Sequence, residues 1–250
     1  MAVGGKAEVI YDQAGVTIIC GDWRDALAAG LLPDAWDHTI EDPPYDEETH
    51  EGAAYGFRAG WKSGTRIEFP PLTADDIATL VQEDRACRWS LHFCAIESLG
   101  RYAEAAGGKR TGPRKGRYMR SGLWVRPNGA PQFTGDRPGQ PAEGIAILHA
   151  DGASRWNGKG KHGMWTHNVP PGGKSRWHRT QKPMALMLEL VADFSDEGDL
   201  IVDRFCGSGT TLLAARNLGR RAIGCEIDPE RAQNAALRLR QDAEQGRLFA

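Results

Sequence analysis

The chain lacks a cysteine framework. Its 250 residues hold five cysteines, at 20, 87, 94, 206 and 225. The number is odd and none forms a CxxC pair, which argues against both a disulfide scaffold and a structural zinc site. A reducing cytoplasm is the expected compartment. Also missing are any apolar run near the ~20 residues of a membrane span and any signal-peptide pattern at the start. No internal repeat is visible, and no Gly-Lys-Ser/Thr sequence marks an ATP-type phosphate loop. A chain of this length can bury roughly three quarters of its unfolded surface without staples. One domain over 1–250 is therefore expected.

One stretch is poor in acid. Net charge is only -2, yet Gly108 to Lys182 carries 15 Lys/Arg against 3 Asp/Glu, a local +12 that leaves -14 for the rest. A basic segment in an acidic protein suits a polyanion partner. The alternative is a solvated charged face. Here the cations alternate with Tyr118, Trp124, Phe133, Trp156, Trp165, Trp177 and many glycines. That mixture favours nucleic acid, whose phosphates take cations and whose bases take flat faces.

What is present is a strand–helix alternation. Strand patterns occupy 8–11, 16–20, 37–41, 88–94, 123–126, 144–149, 200–203 and 221–226. A helix is expected from Leu72 to about Arg85 with Thr73 as N-cap, and others at Ile96–Ala106, Pro183–Phe194, Thr210–Leu218 and Pro229 to about Gln245. This predicts an α/β fold, a mostly parallel sheet with helices on both faces. Two stretches lack periodicity. Residues 46–69 read as a long loop, either closing over a ligand through His50, Arg58 and Lys62 or simply solvated. Residues from about 150 to 177 read as a small inserted recognition segment, with Arg155, Trp156, Lys159, Lys161, Lys174 and Arg176 as candidate contacts. His162 and His167, five apart in a glycine-rich stretch, fit nucleic-acid contact or solvation better than metal.

Two motifs carry chemistry. Asp42-Pro43-Pro44-Tyr45 follows a short strand. Two prolines cannot donate to a ladder, so the strand ends there in a stiff extended turn. The turn offers a carboxylate acceptor, a prolyl carbonyl and an aromatic face, which together could grip a planar ring bearing NH2. An ordinary strand exit is the plainer alternative. The second motif runs Asp203-Arg204-Phe205-Cys206-Gly207-Ser208-Gly209-Thr210, with Glu226-Ile227-Asp228 after the next strand. Glycines let backbone approach a ligand, the helix N-terminus offers free N–H groups, and an acid about 20 residues on is placed for ribose hydroxyls. The dinucleotide GxGxxG pattern is broken by Leu212.

Together these motifs resemble the amino-group DNA methyltransferases, and their order, with the Asp-Pro-Pro-Tyr motif first and the glycine motif last, is similar to the circularly permuted class called beta. The resemblance implies a Rossmann-like S-adenosylmethionine-dependent methyltransferase fold with no metal, S-adenosyl-L-methionine as cofactor and double-stranded DNA as partner. It implies a flipped adenine or cytosine whose amine is held by Asp42, Pro43, Pro44 and Tyr45. It puts Asp22 near the cofactor adenine, Asp203 at the methionine amino group and Glu226 on the ribose. Thr180 and Lys182, within His178–Pro183, fall at the methionine end, and Phe205, Gly207, Ser208, Gly209, Thr210 and Asp228 join the cofactor set. A bacterial cytoplasm, or that of a phage host, and a homodimer both fit such enzymes. Arg204 stands where the family usually has proline, implying an altered loop or a contact to DNA or to the cofactor carboxylate. The short recognition segment implies a short or relaxed target. Adenine N6 is favoured over cytosine N4. An RNA or protein-glutamine methyltransferase and a non-enzymatic nucleic-acid-binding module remain as alternatives.

Overall fold

Two strands with no exposed position lie at the heart of the fold: His38–Glu41 and Trp89–Cys94 are buried along their whole length. Burial on both faces is what a central strand covered by helices on either side requires. The computed structural model describes residues 6–45, 72–107, 116–129, 135–153, 155–170 and 181–248. In chain order the elements are β1 (Glu8–Gln13), β2 (Val16–Cys20), α1 (Trp23–Ala28), β3 (His38–Glu41), α2 (Ala74–Gln82), β4 (Trp89–Cys94), a 3-10 turn leading into α3 (Leu99–Gly107), β5 (Gly116–Val125), β6 (Ala142–Ala150), β7 (Met164–Thr166), α4 (Met184–Phe194), β8 (Leu200–Asp203), α5 (Thr210–Asn217), β9 (Arg221–Glu226) and α6 (Pro229–Leu248).

Among the described residues the strands form one sheet in the order β1-β2-β9-β8-β3-β4-β6-β5-β7. From β2 to β4 every neighbouring pair is parallel. β1 is antiparallel to β2, β6 is antiparallel to both β4 and β5, and β7 runs parallel to β5. The chain leaves β8 towards β9 on one side and leaves β3 towards β4 on the other. The reversal falls between β8 and β3, and in an open α/β sheet this is where a crevice forms at the carboxyl ends of the strands.

Strand alternation sorts the core into two layers. Ile40, Leu91, Phe93, Ile145, Ile201 and Ala222 pack with Leu186, Leu190 and Val191 of α4, Leu212 of α5 and Ala235 of α6. On the other face Ile19, Val202 and Cys225 meet Trp23 of α1 and Leu80 of α2. Cys94, Ala146 and Leu148 meet Ile77, Tyr102 and Ala106 there. The expected cap of α2 is present as a reciprocal box: the Asp76 N–H donates to Thr73 Oγ1 at 3.1 Å, and Asp76 Oδ2 accepts from the Thr73 N–H at 2.9 Å. The hairpin of β5 and β6 is longer than its apolar runs suggest. Arg117, Tyr118 and Arg120 lie on the stretch of β5 paired with the last residues of β6, where backbone pairing and not hydrophobicity continues the strand. No helix among the described residues is long and apolar enough to cross a membrane.

Candidate active site

Asp42 follows β3 directly, and Pro43 and Pro44 carry the chain out of the sheet. Lys182, just before α4, donates to Asp42 Oδ2 at 2.6 Å and lies 3.1 Å from Glu143 Oε2 of β6. The Tyr45 hydroxyl donates to the same Glu143 oxygen at 2.6 Å, and Arg126 donates to the other at 2.9 Å. The Lys182 ammonium also sits 4.9 Å from the ring centre of Phe93 and 5.4 Å from that of Tyr45. Two carboxylates thus face two cations. Burial alone would lower the Lys182 ammonium, but Asp42 and Glu143 hold it above its ordinary value. Burial would raise Glu143, but Lys182, the Tyr45 hydroxyl and Arg126 bring it below the usual range. Burial does lift Asp42, against the pull of Lys182. Asp42 Oδ1 is buried without a hydrogen-bond partner. A buried acceptor left empty costs about 1–3 kcal/mol and is a prepared place for a donor.

The second motif lies beside the first. Asp203 ends β8 and is buried; burial pushes its carboxyl up to about 8, opposed by hydrogen bonds from Thr211 and the Phe205 N–H and assisted by the charges of Glu41 and Asp42. Gly207 and Gly209 adopt positive φ, 49° and 73°, which suits residues without a Cβ. Glu226, at the end of β9, accepts from the Gly207 N–H at 3.0 Å and the Asp228 N–H at 2.9 Å, tying the turn to the next strand. Burial raises its carboxyl. Arg238 of α6 braces the turn from below, donating to the Ser208 carbonyl and to Thr210 Oγ1, each at 2.9 Å. Asp42, Asp203 and Glu226 all stand at the carboxyl ends of parallel strands.

Several of the expected site residues make contacts that sequence alone does not reveal. Arg204 touches neither surface nor cleft. Its side chain is fully buried and paired with Glu41, so the altered-loop alternative survives and the DNA or cofactor-carboxylate contact does not. Lys182 joins the Asp42 cluster. Asp22 caps α1 by accepting from the Arg24 N–H at 2.7 Å, and Asp228 caps α6 by accepting from the N–H groups of Glu230 and Arg231. The stretch expected to recognise DNA is partly core. Trp165 is 1% exposed and donates to Asp193, and Trp156 packs against Phe194. Lys161 lies between Glu189 and Asp193, and His167 pairs with Glu189. Exposed Arg155 is 3.7 Å from Asp196, and its carbonyl accepts from Trp89 at the first residue of β4. That is the end of the sheet opposite Asp42. Lys159 is exposed in a left-handed turn. His50, Arg58, Lys62, Lys174, Arg176, Thr180 and the 46–69 loop lie outside the described residues.

The sequence profile of a family described as DNA methylase, N6_N4_Mtase, matches residues 123–237, just under half of the chain. The match is to the amino-group DNA methyltransferases. Type II methyltransferase M2.DpnII of Streptococcus pneumoniae is 37% identical over 91 residues, 35% of this chain and 34% of that protein. Type II methyltransferase M.XycI of Xanthomonas campestris pv. cyanopsidis is 29% identical over 140 residues, 50% and 45% of the two chains. The chain therefore spans between a third and a half of the length of these curated relatives. Among solved structures, the M1.HpyAVI–SAM complex aligns with a TM-score of 0.67 at 22% identity, covering 90% of this chain and 98% of that one. The cytosine-N4-specific PvuII DNA methyltransferase aligns at 0.66 and 15% identity, covering 89% and 86%. These likenesses show that the fold is that of the S-adenosylmethionine-dependent methyltransferases.

Four residues escape sequence reading: Glu143, Arg126, Arg238 and Glu41, the partner of Arg204. Glu143 did leave a trace, as one of only three acids in the +12 segment.

Proposed function

We propose that the chain transfers a methyl group from S-adenosylmethionine to the exocyclic amine of a DNA base, adenine N6 foremost. One observation carries this reading: the Asp42–Tyr45 turn and the Asp203–Glu226 cradle open from neighbouring parallel strands at the switch point of the sheet. The donor set suits the cofactor. A buried carboxylate at Asp203 fits an ammonium group, and Glu226 keeps lone pairs for ribose hydroxyls. Gly207 and Gly209 leave room for close approach.

The target amine is a poor nucleophile because its lone pair is delocalised into the ring. The empty Asp42 Oδ1 and the Pro43 carbonyl accept its two N–H groups and favour a more tetrahedral nitrogen. Tyr45, pinned by Glu143, provides a stacking plane worth ~1–3 kcal/mol per base. That offsets part of the few kcal/mol needed to flip the base from the duplex. Lys182 holds Asp42 in its acceptor geometry. When bound, S-adenosylmethionine would supply an electrophilic sulfonium methyl and depart as neutral S-adenosylhomocysteine, so positioning by the protein does most of the catalysis. The methylated nitrogen, briefly cationic, then gives one proton to water past Asp42 and is left as a neutral amine.

The aspartate of the Asp-Pro-Pro-Tyr motif supports adenine, since enzymes it resembles more often pair serine at this position with cytosine. With Trp165 buried and the exposed Lys161 engaged by Glu189 and Asp193, fewer side chains of the segment are free to read base edges, which supports a short or relaxed target. The test is incubation of the protein with amplified, unmodified DNA and methyl-labelled cofactor, followed by nucleoside analysis. N6-methyladenine is expected. N4-methylcytosine would reassign the base, and absence of label from DNA would overturn the reading.

A further inference from the structure

The two acids given to opposite halves of this reaction each adjoin a member of one buried ion pair. Glu41 precedes Asp42 and Arg204 follows Asp203. Arg204 Nε donates to Glu41 Oε2 at 2.8 Å and Nη2 to Oε1 at 2.7 Å, a forked and planar contact. Nη2 also donates to the Leu80 carbonyl of α2 at 3.1 Å, and the guanidinium lies 4.7 Å from the Trp23 ring of α1. His92 Nδ1 of β4 meets Glu41 Oε1 at 2.8 Å. Burial alone would raise the Glu41 carboxyl, but Arg204 and His92 hold it at about 2. The pair therefore stays charged in any physiological state.

Its position is informative. The ladder between β3 and β8 pairs His38 with Ile201 and Thr39 with Val202, and goes no further. Continued in the same register, Glu41 falls opposite Arg204. A side-chain bridge thus takes over where backbone pairing stops, in the gap between the two motifs. Alternation turns Glu41 and Arg204 towards α1 and α2, and turns Asp42 and Asp203 to the other face. Buried ion pairs are seldom retained for stability, because apolar replacements of similar volume are often neutral or better. In some proteins such a pair fixes geometry instead, and the forked contact here suits that role.

Resting on the methyl-transfer reading, we propose that the Glu41–Arg204 bridge is a strut that sets the distance between the amine clamp at Asp42 and the cofactor acid Asp203, making both members positioning residues. A displacement of about 1 Å between reacting groups can cost ~100-fold in rate.

The decisive comparison uses the wild type, the double variant Glu41→Gln/Arg204→Met, which removes both charges at similar volume, and Arg204→Lys, which keeps charge without the fork. Each is followed by thermal melting, by calorimetry with S-adenosylhomocysteine, and by single-turnover methyl transfer to amplified DNA at saturating cofactor. The double variant is expected to melt near the wild type and to bind S-adenosylhomocysteine within about threefold, while its transfer rate falls about tenfold or more. Arg204→Lys should fall between the two. A folded variant of either kind transferring within about twofold of wild type overturns the strut. So does a loss confined to cofactor affinity, with the saturated rate unchanged. Wild-type protein that moves no methyl to DNA overturns the methyl-transfer reading itself, and the strut with it.

Discussion

At Asp203 a carboxyl is held protonated by its surroundings, at about 8, where an exposed aspartate would be ionised. The folded value lies above the unfolded one of about 3.9. The buried acid therefore costs stability as pH rises from about 4 to about 8 and adds no further cost above that. The consequence for ligands runs the other way. An ammonium group bound beside Asp203 requires the carboxylate, so binding below pH 8 must expel its proton. Affinity for S-adenosylhomocysteine should rise with pH and level off near 8, with up to about one proton released per ligand at neutral pH. Calorimetry in buffers of differing ionisation enthalpy measures both, and Asp203→Asn should flatten the profile. A wild-type affinity independent of pH between 6 and 8 would contradict the assignment. The Tyr45–Glu143 bond makes a second claim at this scale. Glu143→Gln keeps the shape but removes the charge shared by Tyr45, Lys182 and Arg126. Methyl-transfer rate should drop several-fold while S-adenosylhomocysteine affinity holds; an unchanged rate would remove Glu143 from the clamp.

Among elements, the contact between β9 and α5 carries the glycine turn. A Cβ at Gly224 would lie 2.6 Å from Leu212 and 2.7 Å from Cys206, in the layer that supports the turn. Gly224→Ala should destabilise by about 1–3 kcal/mol through overpacking. That is a fall of roughly 2–12 °C in melting temperature for a chain of this size, and an unshifted melt would show that the turn gives way freely. The same elements show what sequence can convey. β4, α2, α4, α5 and β9 follow apolar periodicity and caps that are local, and their ends fall within a few residues of expectation. β5 outruns its apolar run because pairing with β6 extends it. Within 155–170 the limit of local reading has a different cause. Aromatics and cations among glycines look like a nucleic-acid surface whichever way they face, and only long-range packing turns Trp156 and Trp165 towards Phe194.

Across the whole molecule, the two motifs gather at the reversal between β3 and β8. Both motifs were legible because each is a local sequence with a chemical meaning. Their meeting was not, since Asp42 and Lys182 are 140 residues apart and Tyr45 and Glu143 are 98 apart. Arg204 was legible only as a departure from the family pattern; its partner emerges from sheet register. The central claim is that Asp42 holds an amine for methylation while a separate cradle holds the cofactor. The most direct test takes one preparation of Asp42→Ala through two measurements, labelled-methyl transfer to amplified DNA and calorimetric titration with S-adenosylhomocysteine. Transfer should vanish while cofactor affinity stays within about threefold of wild type, because the groups that stabilise each ligand are distinct. Transfer near the wild-type rate, or loss of cofactor binding together with activity, would contradict it.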